Sequence, residues 1–326
     1  MARMQISDYF AHQSRWGGWE YAFWLLWIVL FFVPDSNLVL LTQILIWGLF
    51  AMSLDVLLGY RGIPSLGHAA FFGIGAYSAG FLGKYGWTEP ISGLLISALI
   101  TGCAGLGMGR VVRGLHGVAL LMVTLGLNMI LFDFVQRSTD ITGGDDGLQD
   151  IVIAPVLGMF RFDMYGKTAY VYVLVVVFIV TLLVRALVNS PFGLTLRGSR
   201  ESTRRMIMLG APVDRDVTLA FGVSAAIAGI AGALLAQTTQ FVAPEMVAFT
   251  RSADVLVMLV IGGTAVLYGG YVGAAVFLVL RDVFAAMNPV YWYFWIGLLL
   301  VVIVALFRQG ILPKLAEKWT RFREGR

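Results

Sequence analysis

Polar residues along this chain gather in a few clusters, and long apolar stretches run between them. The stretches at 19–33, 38–58, 65–83, 91–109, 116–135, 168–188, 217–238, 253–267, 269–283 and 290–307 read as candidate spans. Most approach the roughly 20 residues that carry a helix across a hydrocarbon core of about 30 Å. The pattern predicts an all-α integral membrane protein, a polytopic bundle of about ten spans within one transmembrane domain over 1–326. The stretches 253–267 and 269–283 are short and interrupted by glycine, so they read either as two short spans or as one bent element.

Composition agrees with the pattern. Apolar residues are 59% of the chain and charged residues 13%, where soluble domains carry about 25% charged. The mean hydropathy of +0.83 exceeds what a single buried core needs. Thirty-eight glycines suit helices packed closely in lipid. Cys103 is the single cysteine, which excludes an intrachain disulfide. A mildly polar start (Arg3, Asp8, His12, Arg15) precedes the first apolar stretch without a small-residue cleavage site, so no cleavable signal peptide is expected.

Basic residues fix the expected orientation, because Lys and Arg are retained on the cytoplasmic side. With ten crossings and both termini inside, seventeen basic residues fall in cytoplasmic segments, and six outside: Lys84, Arg137, Arg161, Lys167, Arg251 and Arg281. Merging 253–283 into one crossing would put the C-terminal tail or the 189–216 loop outside, so an even number of crossings after residue 216 is expected. The net charge of +4 is thereby assigned to side-selective loops rather than to nucleic acid.

Two loops and the tail stand out. The outer loop 136–167 carries Asp140, Asp145, Asp146, Asp150 and Asp163. The inner loop 189–216 is basic and built to hold a helix, and the tail 308–326 is basic as well. Asn189-Ser190-Pro191 is a helix-entry pattern. A short amphipathic helix is expected at about 200–209, with Glu201 in its first turn and able to pair with Arg205, Gly210 at its end and Pro212 beyond. Such a helix reads either as a docking element or as an interfacial helix lying on lipid headgroups.

Catalytic chemistry is not legible. Gly166-Lys167-Thr168 is a chance match to part of a phosphate-binding loop, because Arg161 stands where that loop needs glycine. His12, His68 and His116 lack metal-ligand spacing, and no acidic pair suggests a general acid and base. Asp55, Asp133, Asp254 and Asp282 lie within a turn or two of span ends, where water is expected to reach them. Ion-coupled carriers usually place such groups deep in the bundle.

The glycine-rich breaks are the most informative feature. Residues 59–83 read GYRGIPSLGHAAFFGIGAYSAGFLG: Gly59, Gly62 and Pro64 break the helix, Ser65 can cap a new one, and His68 falls in its first turns. The second interrupted stretch is IGGTAVLYGGYVGAAVFL at 261–278. Paired interrupted segments point to a mid-membrane pathway, and its candidate residues are Ser65, Gly67, His68, Gly73, Gly262, Gly263 and Thr264. The bland alternatives are glycines that only permit tight packing and a packed, hydrogen-bonded His68.

At these residues the chain resembles a known family. GYRGIPSLGHAAFFGIGAY is similar to the signature of permease subunits of branched-chain amino-acid ABC importers. ITGGDDGL at 141–148, SPFGLTLRGSRES at 190–202, LAFGVSAAIAGIAGALLA at 219–236 and SADVLVMLVIGGTAVLYGGYVGAAV at 252–276 agree with that family in order and spacing, so the resemblance covers roughly 38–307.

The resemblance implies a system of two permeases, usually different, two cytoplasmic ATPases and an external solute-binding protein, in a bacterial inner membrane. ATP and Mg would bind the ATPases, and no cofactor is expected in this chain. It implies ATPase docking through Pro191, Phe192, Gly193, Arg197, Arg200, Glu201 and Gly210, and binding-protein contact or gating through Thr142, Gly143, Gly144 and Gly147. The run Ser202-Thr203-Arg204-Arg205-Met206-Ile207-Met208 departs from the acidic, alanine-rich run of many relatives. Permeases for urea and short amides carry nearly the same motifs. An ion-coupled carrier and a membrane-embedded enzyme are the competing classes; uptake driven by a proton gradient without ATPases would favour the first, and catalysis by the isolated chain the second.

Overall fold

The computed structural model describes residues 17–32, 37–160, 166–287, 291, 294–298, 301, 310 and 312. Ten helices longer than ten residues lie among them: α1 Gly18–Leu30, α2 Leu38–Asp55, α3 His68–Lys84, α4 Pro90–Val111, α5 Val118–Arg137, α6 Lys167–Val188, α7 Pro191–Met208, α8 Val213–Thr239, α9 Phe249–Gly262 and α10 Gly269–Met287. A π-helical turn, Val56–Arg61, extends α2. Every expected span up to residue 283 coincides with one of these helices. The expected span 290–307 falls largely, and Arg3, Arg15, Arg161 and Asp163 entirely, outside the described residues, as does the tail 308–326 apart from 310 and 312.

Six of the described helices are long and apolar enough to cross a membrane: α2 with its π turn, α4, α5, α6, α8 and α10. The chain is therefore an all-α, multi-pass membrane bundle. Burial separates its centre from its rim. The most apolar windows of α2 and α8 are 78% and 72% buried, against 28% in α4 and 22% in α5. A helix that is apolar on all sides, as α2 is, belongs in the interior, and α8 earns the same place with small residues. Its Gly229 admits the Thr101 side chain of α4 and lies against Gly75 of α3.

Helix starts follow local rules. Glu89 caps α4 by accepting from the Ser92 amide at 2.8 Å, with Pro90 at the first helical position. Ser190 caps α7 by accepting from the Gly193 amide at 3.4 Å, ahead of Pro191. That cap corrects the expected helix at 200–209. The helix starts at Pro191, and Ser202 (φ −158°, ψ 96°) interrupts it. Glu201 therefore ends the first segment, and no ion pair joins it to Arg205 because the break removes their one-turn spacing. Gly210, at φ +81°, carries the chain out of the helix as expected.

The α9–α10 stretch is two helices. Gly273 lies against the Met258 carbonyl and Gly262 against the Gly269 backbone, so the pair forms a tight antiparallel hairpin.

Candidate functional site

Two helix–break–helix units run through the bundle in opposite directions; the first break is extended and the second contains the 3-10 turn Pro244–Val247. In the first, α2 ends in the π turn, the chain turns back at Gly62 (φ +76°), and residues 62–67 lead into α3. In the second, α8 ends at Thr239 and residues 240–248 lead into α9. α3 begins inside the bundle: His68 Nε2 lies 2.8 Å from Ser53 Oγ, and Ser53 precedes Arg61 by eight residues, roughly 12 Å of helix. The Ser53 carbonyl accepts from Ser224 Oγ at 2.5 Å, and Ser224 is twelfth among the 27 residues of α8.

Backbone freed by such breaks must find partners within a membrane, and side chains supply them. The Ala69 amide donates to Ser252 Oγ of α9 at 2.8 Å. The Leu66 amide donates to Thr124 Oγ1 at 3.3 Å, and Asn128 Nδ2 donates to the Val247 carbonyl at 3.0 Å. The first turns of α3 and α9 are thus joined directly, while α5 holds the extended segment before α3 and the 3-10 turn Pro244–Val247 before α9.

The expected pathway residues divide between two places. Gly67 lies against the Thr124 carbonyl and lines an apolar groove of about 470 Å3 between α3, α4 and α5. Gly73 lies against Val247. His68 is fully buried, stacked on Phe50. Because Ser53 Oγ donates to the Phe50 carbonyl at 2.6 Å, the imidazole serves as donor to Ser53, and its Nδ1 has no partner. Ser65 does not cap α3, which starts after Gly67; its hydroxyl is buried without a partner. Gly262, Gly263 and Thr264 lie apart from these, where α9 ends and the chain turns into α10.

That turn contains Ala265, held at φ +62°, whose amide donates to Asp55 Oδ1 at 2.8 Å. Asp55 is 1% exposed, which corrects the expectation of a water-accessible carboxylate. α2 continues as the π turn past the expected span end and shields it. The other expected acids differ. Asp133 pairs with Arg137 at 2.8 Å, Asp254 with Arg251 at 3.6 Å and Asp282 with Arg281 at 3.6 Å. Arg251 also lies 5.5 Å from the Trp47 ring centroid, inside the bundle rather than in a loop.

The turn at 142–147 forms a compact unit. Gly143 (φ +82°) and Gly147 (φ +72°) occupy backbone regions that side chains avoid. Thr142 Oγ1 donates to the Val135 carbonyl at 2.5 Å. Leu148 and Val242 exchange both backbone hydrogen bonds, at 2.8 and 3.2 Å. The turn is thereby fastened to the segment that leads into α9.

At the other end α7 grips the π turn. Arg200 donates to the Gly59 carbonyl, Arg197 lies 5.3 Å from the Tyr60 ring centroid, and Arg61 reaches Thr203 Oγ1 at 3.5 Å. Beside it a polar cavity of about 260 Å3 is lined by Glu20, Tyr60, Arg185, Asn189 and Arg197, with Arg185 and Glu20 paired at 2.8 Å.

Comparison with known proteins decides the family. The model of a family described as branched-chain amino acid transport system / permease component matches residues 37–304. The chain belongs to this family. It is 29% identical over 309 residues to the high-affinity branched-chain amino acid transport system permease protein LivM of Escherichia coli K12, covering 87% of this chain and 71% of that one. Identity to LivM of Salmonella typhimurium is 28% over 304 residues, with the same coverage. The permease protein LivH of Escherichia coli K12 is 21% identical over 289 residues, covering 82% of this chain and 91% of that one. No solved structure matches significantly. Family membership makes the chain a transmembrane permease subunit, a transport component rather than an enzyme.

Within this permease, several polar residues at the breaks had no signature in the sequence. Ser53, Thr124, Asn128 and Ser224 are isolated polar residues in apolar runs, and Ser252 stands among Thr250, Arg251 and Asp254. That polarity was the available signal, because a lone hydrogen-bonding side chain in a membrane helix needs a partner.

Proposed function

We propose that this permease pairs with a second, LivH-like permease and lines a path for branched-chain amino acids, moved by ATP hydrolysis on two cytoplasmic ATPases. An external solute-binding protein delivers the substrate. The observation that carries this reading is the junction of the two oppositely directed breaks, where the Ala69 amide meets Ser252. Broken helices of opposite direction meeting inside a bundle are the arrangement by which alternating-access transporters build a central path.

In this reading α1, α3, α9 and the segment at 290–307 complete about ten crossings, in one permease domain over 1–326. Residues 189–216, the tail 308–326 and both termini face the cytoplasm, residues 136–167 face outside, and the membrane is a bacterial inner membrane. Ser65, Gly67, His68 and Gly73 shape the path where α3 starts, and Gly262, Gly263 and Thr264 form the hinge at the end of α9. Thr142, Gly143, Gly144 and Gly147 receive the binding protein or gate entry. Pro191, Phe192, Gly193, Arg197, Arg200, Glu201 and Gly210 shape the ATPase-docking element. Arg197 and Arg200 reach the π turn, and Glu201 beside them is exposed and open to the ATPase.

Affinity purification of the tagged chain from its own membranes tests the assembly. Two ATPases and a second permease are expected to co-purify, with the binding protein retained in the presence of leucine. Recovery of the chain alone, fully active in uptake, would contradict the reading.

A further inference from the structure

We infer that Asp55 is the positioning residue that transmits displacement of α7 to the α9–α10 hairpin, an assignment that rests on α7 being the ATPase-docking element. A carboxylate 1% exposed in a largely apolar membrane helix needs a structural or functional reason for its burial. Its one hydrogen bond among the described residues reaches across 210 residues to the Ala265 amide, at 2.8 Å. Among the described residues Oδ2 has no partner, so the carboxylate is a single-point fastening and not the centre of a saturated network. Ala265 lies in the left-handed region, φ +62°, which an L-residue occupies when its surroundings hold it there.

Gly59 makes the fastening possible. A methyl group on it would fall on the Asp55 carboxylate and on the Ala265 amide. The carbonyl of the same residue accepts from Arg200. One peptide is thus held from α7 on one side and lies against the Asp55–Ala265 bond on the other. Tyr60 and Arg61, the next two residues, meet Arg197 and Thr203 of α7. The gripped residues form a π turn, whose wider hydrogen-bond spacing tolerates rearrangement and is common at functional sites.

The two routes out of this grip lead to the two breaks. Displacement of Gly59–Arg61 passes along the chain through 62–67 to the start of α3. It passes to α9 through Asp55 and Ala265, and the far end of α9 holds Ser252, the partner of Ala69. Without Asp55, α7 would still move α3, and α9 would no longer follow it.

Uptake and ATP hydrolysis measured together in proteoliposomes holding the whole complex test this assignment. Asp55→Ala is expected to keep hydrolysis near wild type and to lower substrate imported per ATP by about tenfold. Asp55→Asn, which keeps an acceptor for the Ala265 amide, should lose only about threefold. A purely structural role would lower assembly and hydrolysis together and leave the ratio unchanged, which would overturn the assignment. Should Asp55→Ala fail to assemble, Ala265→Gly keeps the amide but releases its direction; the ratio should still fall, and an unchanged ratio would overturn the proposal. Glu201→Lys separates the two readings. If it loses coupling while Asp55→Ala keeps it, docking through α7 stands and the Asp55 link fails; if both keep coupling, the docking reading fails with it.

Discussion

The backbone amide of Ala69, in the first turn of α3, donates to the hydroxyl of Ser252, in the first turn of α9, at 2.8 Å. Helices begun by two separate breaks, 183 residues apart in sequence, thus share one buried hydrogen bond. Ser252→Ala strands that amide without a partner, at a cost of about 1–3 kcal/mol. Thermal unfolding in detergent is expected to shift down for Ser252→Ala and much less for Ser252→Thr, which keeps a hydroxyl. Equal stability of both variants would mean that the bond contributes nothing.

Gly143 is held at φ +82°, and a side chain there would run into the Gly147 carbonyl. Valine at such a position costs about 1–3 kcal/mol in backbone strain alone. The turn is tied through Leu148 and Val242 to the segment entering α9. Gly143→Val is therefore expected to insert normally and to lose most substrate uptake; wild-type transport kinetics would remove the turn from the mechanism.

Acid should loosen the start of α4. Hydrogen bonds from Ser92, first from its side chain and then from its backbone, hold the Glu89 carboxyl below its usual range. A carboxyl whose folded pKa is depressed adds stability above its unfolded value, about 4.3, and that stability is lost as pH falls through the folded value. Protection of the Ser92 amide against hydrogen exchange, corrected for intrinsic rate, should fall with acid in the wild type. It should stay flat in Glu89→Gln.

Orientation is open to direct labelling. Cys103 is exposed, so the background must carry Cys103→Ser. In intact cells an impermeant thiol reagent should label Asp145→Cys and spare Thr203→Cys. The reverse pattern would invert the assigned orientation.

Most spans up to residue 283 were legible from the length of their apolar stretches, whereas 253–267 and 269–283 were too short to tell two helices from one bent element. Boundaries were less so, for identifiable reasons. Asn189-Ser190-Pro191 signalled the start of α7, yet the apolar patch at Met206, Ile207 and Leu209 drew the expected start to about 200, past the true start at Pro191. The interruption at Ser202 has no local signature. Asp55 read as accessible because the apolar stretch ends near it; the buried π turn beyond depends on its contacts with α7. Gly59 was readable as a break and Gly67 as a pathway candidate, but the neighbours that require glycine there, the Asp55–Ala265 bond and the Thr124 carbonyl, exist only in the folded bundle.

We propose that this permease conducts branched-chain amino acids only as part of an ATP-driven assembly. Uptake of labelled leucine into proteoliposomes containing the chain, its co-purified partner permease and the ATPases tests it most directly, with the binding protein added on the delivery side. Uptake is expected to require ATP and the binding protein together and to disappear when this chain is omitted. Leucine uptake driven by an imposed proton or sodium gradient, with the ATPases absent, would contradict it.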